Sequence, residues 1–218
     1  MANNIFLFFI AVAAVFAGIW LGYSTQDDKQ LAGSNTPPIQ GAILPSARPL
    51  RDINLYTANG LAFSKKDFEQ HWSLVFVGYT HCPDVCPNTL SVLSQVSSLM
   101  EEQQLNPPRI IFISIDPQRD KPELIDQYVK YFNQAFIGVT GNEKELASIS
   151  QQLSVVYAKA PGADGLITED NYLMDHSSSL ILINPKAQVQ SFLTAPHTPM
   201  QIIDSIIRTQ VYYTEINK

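Results

Sequence analysis

The stretch LVFVGYTHCPDVCP, residues 74–87, decides how the rest of the chain is read. Leu74, Val75, Phe76 and Val77 form an apolar run rich in β-branched and aromatic residues, which suits a buried central strand. Gly78 marks the turn that ends it. Pro87 stands where a helix begins, because proline is tolerated at the first helical position. That spacing puts Cys86 at or beside the N-cap and Cys82 in the loop just before it. The chain contains no other cysteine. A helix N-terminus carries partial positive charge, which favours thiolate over thiol. A thiolate attacks disulfides and binds soft metals. The plainer reading is a structural disulfide, but a strand-to-helix corner inside a domain of this size needs no staple.

The composition narrows the choice. With 218 residues and 45% hydrophobic content, the chain can build one core plus extensions. A formal net charge of −6 argues against nucleic-acid binding, which requires a basic stripe. No internal repeat is visible. The four histidines are His71, His81, His176 and His197. A closed zinc site of two cysteines and two histidines would need a finger-like spacing that is absent.

Residues 5–21, IFLFFIAVAAVFAGIWL, carry no charge, and Gly22 and Tyr23 extend the run to a length that just spans hydrocarbon. The leading MANN lacks Lys and Arg, and Trp20 and Tyr23 resemble an interfacial aromatic belt. An uncleaved transmembrane helix over residues 1–23 is therefore preferred to a cleaved signal peptide. Residues 24–49 contain Gly33, Ser34, Pro37, Pro38, Gly41 and Pro45 and read as a flexible linker. Residues 50–218 are then the folded domain, on the non-cytoplasmic side if the cysteines do redox or metal chemistry.

Within that domain, INLYT and the residues after Asn59-Gly60 predict a hairpin. Residues 64–71 predict a short helix, with Ser64 and Asp67 as a capping box. The helix from Pro87 to Gln104 puts Leu90, Leu93, Val96 and Met100 on one face. RIIFISID, residues 109–116, is a second buried strand. Asp120, Pro122 and Glu123 open the next helix, and AFIGVT is a third strand. Asn142 and Glu145 cap a helix ending near Leu153, and residues 155–158 read as a strand before the turn-rich PGADGLITED. LILIN and VQSFLT pair late, and Thr198-Pro199-Met200-Gln201 caps a last helix expected to bury Ile202, Ile203, Ile206, Ile207 and Val211. This order predicts an α/β, thioredoxin-like fold: a central mixed sheet flanked by helices, with an N-terminal hairpin. The cysteine corner would lie at the carboxyl end of a central strand, where such sheets place their sites.

Thioredoxin-type oxidoreductases separate their cysteines by two residues and carry a proline before the late strand opposite them. Here three residues, Pro83, Asp84 and Val85, intervene, and the late stretch MDHSSSLILIN offers His176 and no proline. Two thiolates and one imidazole suit a soft or borderline ion, copper above all. Asp175 is a candidate to orient the imidazole. His81, adjacent to Cys82, is the alternative ligand, while His71 and His197 read as surface residues. Asp116 and Asp120 flank a loop near the strand end, where capping and turn formation explain them as well as a role at the site would.

GYTHCPDVCP, ISIDPQRD and YLMDHSSSLILINP together resemble the Sco/SenC family of copper-binding thioredoxin-like proteins, and LPSARPL precedes the domain as it does there. The likeness runs from about Leu44 to the C-terminus. It implies that Cys82 and Cys86 match the family's motif cysteines and that His176 matches its ligand histidine. It further implies copper, as Cu(I) or Cu(II), and a role in assembling the dinuclear copper (CuA) centre of cytochrome c oxidase subunit II. The likeness implies a membrane-anchored domain in the bacterial periplasm or the mitochondrial intermembrane space. The short N-terminal region, with no evident transit peptide, favours a bacterial inner membrane with the domain in the periplasm. The rival reading is a thiol-disulfide oxidoreductase that reduces the target's cysteines, itself served by a thioredoxin-like thiol reductant. A peroxidase lacks its Thr-x-x-Cys arrangement, because Tyr79 and Pro83 stand three residues before the two cysteines.

Overall fold

The structure is a computed structural model that describes residues 36–218, apart from 163 and 170, and residues 16 and 18 of the N-terminal region. The chain divides into two units, Met1–Asn35 and Thr36–Lys218. In the first, Phe16 and Gly18 are helical. The remainder of the anchor read over residues 1–23 lies outside the described residues. Among the described residues no helix is long and apolar enough to cross a membrane.

The second unit is built on β4 (Ser73–Gly78), in which all six residues are buried. It pairs in parallel with β5 (Arg109–Ser114), from Ser73 opposite Arg109 to Gly78 opposite Ser114. β6 (Ile137–Thr140) continues the parallel part. On the other side of β4 lie β9 (Leu180–Asn184) and β10 (Gln188–Leu193), both antiparallel to their neighbours. The hairpin of β2 (Asn54–Thr57) and β3 (Ala62–Ser64) closes the far edge beyond β6. Phe76, Ile111, Phe112 and Ile113 are fully buried, and each such side chain stabilises the fold by roughly 1.5–3 kcal/mol relative to exposure.

Four helices flank this sheet: α1 (Val85–Glu102), α2 (Pro122–Phe132), α3 (Glu143–Gln152) and α4 (Pro199–Ile216). Leu90, Leu93, Val96 and Met100 of α1 are buried as their spacing requires, and α1 packs against α4. The Asn142 and Thr198 side chains accept from the backbone N–H groups of Glu145 and Gln201, as the two caps predicted.

Several local expectations are corrected. Gly41–Pro49, read as the end of a linker, is β1, an edge strand antiparallel to β10. Its register shifts between Ile43 and Arg48, which lets Pro45 sit in a strand without a missing ladder bond. Residues 64–71 give only a 3-10 turn, Lys65–Phe68, because Glu69 is extended and Gln70 has φ 67°. The Ser64 N–H still donates to Asp67 Oδ2 at 2.7 Å. Helix α1 starts two residues before Pro87, so Cys86 lies inside its first turn. Lys121, not Asp120, is the N-cap of α2. On α4, Ile207 and Val211 are 36% and 52% exposed, and Ser205, Thr209 and Tyr212 take the inner face instead.

The strand read near residues 155–158 is β7 (Tyr157–Pro161), and its partner β8 (Tyr172–His176) lies between the turn-rich stretch and LILIN, where no strand was read. These two form a separate two-stranded sheet. Tyr172 and Met174 point inward while Leu173 and Asp175 are exposed, which is strand alternation too short to stand out in the sequence.

Candidate metal centre

Three elements meet at the carboxyl end of β4. The strand delivers Gly78 and Tyr79, the following loop carries Cys82, and the first turn of α1 carries Cys86. Strand β8 brings His176 from ninety positions further along. Gly78 is required by close approach, since a Cβ there would stand 2.8 Å from Cys86 Sγ and 2.9 Å from Phe112 Cε2.

Cys86 is fully buried and Cys82 half-buried, and both are free thiols. The Cys86 backbone N–H donates to Cys82 Sγ at 3.4 Å. Hydrogen bonding from the Cys86 thiol holds Cys82 far below the ordinary thiol range, at about 5. The backbone N–H groups of Cys86 and Asp84 and the nearby His176 act in the same direction, against the opposing effect of burial. Cys86 moves the other way, because it keeps the shared proton and is buried. The pair is thus one thiolate, in the loop, and one thiol, in the helix.

His176 Nε2 stands 3.9 Å from Cys86 Sγ. Its Nδ1 lies 3.0 Å from the Ser177 carbonyl oxygen, which can only accept. Nδ1 therefore carries a proton, and Nε2 is the ring nitrogen that faces the sulfur. The orienting group is this carbonyl and not Asp175, whose side chain is exposed. Tyr79 and Phe76 meet the imidazole edge-on at 6.3 and 6.5 Å between ring centres. Tyr79, Cys82 and His176 line an open depression of about 340 Å³, whose rim includes Pro83, Asp84, Val85, Leu173 and Asp175, while Cys86 is fully buried, its Sγ 3.9 Å from His176 Nε2.

The other histidines stay outside that depression. His81 is turned onto Asp120, with Nδ1 3.2 Å from Oδ1. His71 is exposed, and His197 Nε2 lies 2.9 Å from the Ser178 carbonyl oxygen. Among the described residues no group of three His, Cys, Asp or Glu side chains already stands in coordinating geometry.

Residue reading missed the partners behind the site. Asp116 and Asp120 are buried, and they neither cap nor face solvent. Asp116 accepts from the Tyr172 hydroxyl at 2.6 Å and from Arg119 Nε at 2.6 Å. The available signal was DPQRD itself, two acids and an arginine within five residues of a buried strand.

The profile of the family described as SCO1/SenC matches residues 46–210, a span that includes Cys82, Cys86 and His176. The chain belongs to the SCO1/SenC family. A human relative, the mitochondrial SCO2 homolog, is 30% identical over 204 residues, covering 93% of this chain and 74% of its own. Among solved structures, Bradyrhizobium japonicum ScoI with copper bound is 31% identical with a TM-score of 0.61, covering 74% of this chain and 99% of its own. Arabidopsis thaliana ScoI with copper bound is 27% identical with a TM-score of 0.67, covering 75% and 98%. The SCO1/SenC fold is thus the thioredoxin-like arrangement expected from the order of strands and helices.

Proposed function

We propose that the chain is a copper-delivery protein. Cys82, Cys86 and His176 hold one copper ion, Cu(I) or Cu(II), and pass it by ligand exchange to the dinuclear CuA centre of cytochrome c oxidase subunit II. The observation that carries this reading is convergence: the low-lying Cys82 thiolate and the His176 imidazole line one open depression, and the buried Cys86 sulfur lies 3.9 Å from His176 Nε2. Two sulfurs and a nitrogen form a donor set that copper favours over harder ions. Binding displaces the Cys86 proton, so copper uptake releases acid. Three ligands leave a side open towards the acceptor. The copper-bound relatives with the same fold support the choice of metal. In this reading residues 1–23 anchor the protein in a bacterial inner membrane, and the domain of residues 50–218, with β1 added, works in the periplasm.

The asymmetric cysteine pair supports a second reading, thiol-disulfide exchange. The Cys82 thiolate would attack a target disulfide and form a mixed disulfide while one target sulfur leaves as thiolate. Cys86 would lose its proton and attack Cys82, which releases the second target sulfur. The target gains two electrons and two protons, one from Cys86 and one from solvent, and the Cys82–Cys86 disulfide awaits a thioredoxin-like thiol reductant.

Oxidase activity in cells carrying His176→Ala, with and without added copper, separates the two. Copper delivery predicts failed assembly that ample copper does not fully restore, despite intact thiols. Full assembly in copper-rich cells would assign the main role to exchange.

A further inference from the structure

The loop between β5 and α2 supplies no ligand, yet it holds both halves of the centre. β8, which carries His176, pairs with β7 in a separate two-stranded sheet, so no ladder of the main sheet fixes its distance from β4. Tyr172, at the start of the same strand, ties it to the β5–α2 loop, beside the hydrogen bond between the Tyr79 hydroxyl and the Met174 backbone. The Tyr172 hydroxyl donates to Asp116 Oδ1 at 2.6 Å, and its carbonyl oxygen accepts from Arg119 Nη1 at 2.9 Å. The Arg119 guanidinium lies 3.6 Å from the centre of the Tyr172 ring while its Nε donates to Asp116 Oδ2 at 2.6 Å. The next residue, Asp120, faces the cysteine side. It accepts from the Thr80 N–H at 2.8 Å, the Thr80 hydroxyl at 2.6 Å and the Ser114 hydroxyl at 2.5 Å. Thr80 is two residues from Cys82.

We propose that Arg119 and Asp120 are positioning residues that set the separation of His176 from the cysteine pair, Arg119 through β8 and Asp120 through the cysteine loop. The proposal rests on the copper reading above. Each grips one ligand-bearing segment, and because they are joined by a single peptide bond the two segments cannot drift independently. Arg119 does this with a forked, planar group that bridges a carboxylate, a carbonyl and a ring face. A lysine would keep the charge and lose the fork and the stacking.

The test is a double-mutant cycle on Cu(I) affinity, measured by chelator competition on the full-length protein in detergent, with melting curves alongside. Arg119→Lys and Tyr172→Phe should each weaken Cu(I) binding by about tenfold or more, the scale seen when groups that orient a metal ligand are removed. In a His176→Ala background neither should weaken it further, because both act through that imidazole. Asp120→Asn should weaken binding in both backgrounds, because it acts through Cys82. The Cu(II) form should lose nitrogen hyperfine structure in Arg119→Lys, which a change in stability alone would not cause. Unchanged affinity in Arg119→Lys, or an equal loss with and without His176, overturns the proposal. If Arg119→Lys does not fold, Tyr172→Phe, which deletes one hydroxyl, decides alone. If His176→Ala itself leaves affinity unchanged, the copper ligand assignment fails first, and the proposal falls with it.

Discussion

His176 Nε2 lies 3.9 Å from Cys86 Sγ although ninety positions separate the two in the chain. The imidazole faces the buried thiol, while the Cys86 N–H and thiol face the half-exposed sulfur of Cys82. The three side chains therefore differ in role before any metal arrives. On the proposed copper reading, Cys82 is the ready ligand and nucleophile, Cys86 the proton reservoir, and His176 the nitrogen donor supplied by a separate hairpin.

Replacing either cysteine should remove tight copper binding and leave the fold standing. In Cys82→Ser and Cys86→Ser a hydroxyl takes the place of the soft sulfur. The buried Cys86 site must then satisfy a new hydroxyl, so Cys86→Ser should cost about 1–3 kcal/mol and Cys82→Ser less. Copper content after gel filtration and denaturant midpoints check both parts.

The lowered Cys82 thiol predicts an unusual pH profile for alkylation of the reduced, metal-free protein. An ordinary thiol reacts faster as pH rises towards 8.5 or so. Cys82, depressed to about 5, is already thiolate at neutral pH, so its rate should be flat above pH ~6.5 and fall as pH drops through 5. Cys86, raised and buried, should resist modification until the protein unfolds. Mass spectrometry of iodoacetamide-treated protein at stepped pH gives both rates. A Cys82 rate still rising between pH 7 and 9 would contradict the assignment.

Gly78→Ala tests the packing beneath the sulfurs. Its Cβ would press on Cys86 Sγ and on the Phe112 ring, both of them buried. Overpacking of this kind costs about 1–3 kcal/mol. The relief available is a shift of Cys86, so the variant should lose copper affinity together with stability, while a glycine away from the site, Gly60→Ala, should lose stability only.

Much of the fold was legible because its strongest signals are local. β4 and β5 are unbroken apolar runs, α1 has a clean helical stripe, and Asn142 and Thr198 are caps with their own hydrogen bonds. Elements held by distant partners were not. β1 contains prolines and is a strand only because β10 lies beside it, and β8 is a strand only because β7 does. The last helix misled because Ile207 and Val211 are as apolar as Ile203 yet face outward, while Thr209 turns inward to reach the Ser191 hydroxyl. At the site, Cys82, Cys86 and His176 were visible as residue types in a motif. The division of the cysteines into thiolate and thiol was not, because it depends on which N–H each one meets. Asp120, read equally as a helix cap or as shaping the site, is a buried acceptor, a distinction made by the Thr80 N–H and the Thr80 and Ser114 hydroxyls.

X-ray absorption at the copper edge, on protein loaded with Cu(I) and freed of excess metal, tests the central claim most directly. The account predicts one copper per chain, coordinated by two sulfurs and one imidazole nitrogen, with the nitrogen lost in His176→Ala and the sulfurs lost in the double variant Cys82→Ser/Cys86→Ser. A single copper retained by the double variant, or an unaltered nitrogen shell in His176→Ala, would contradict it.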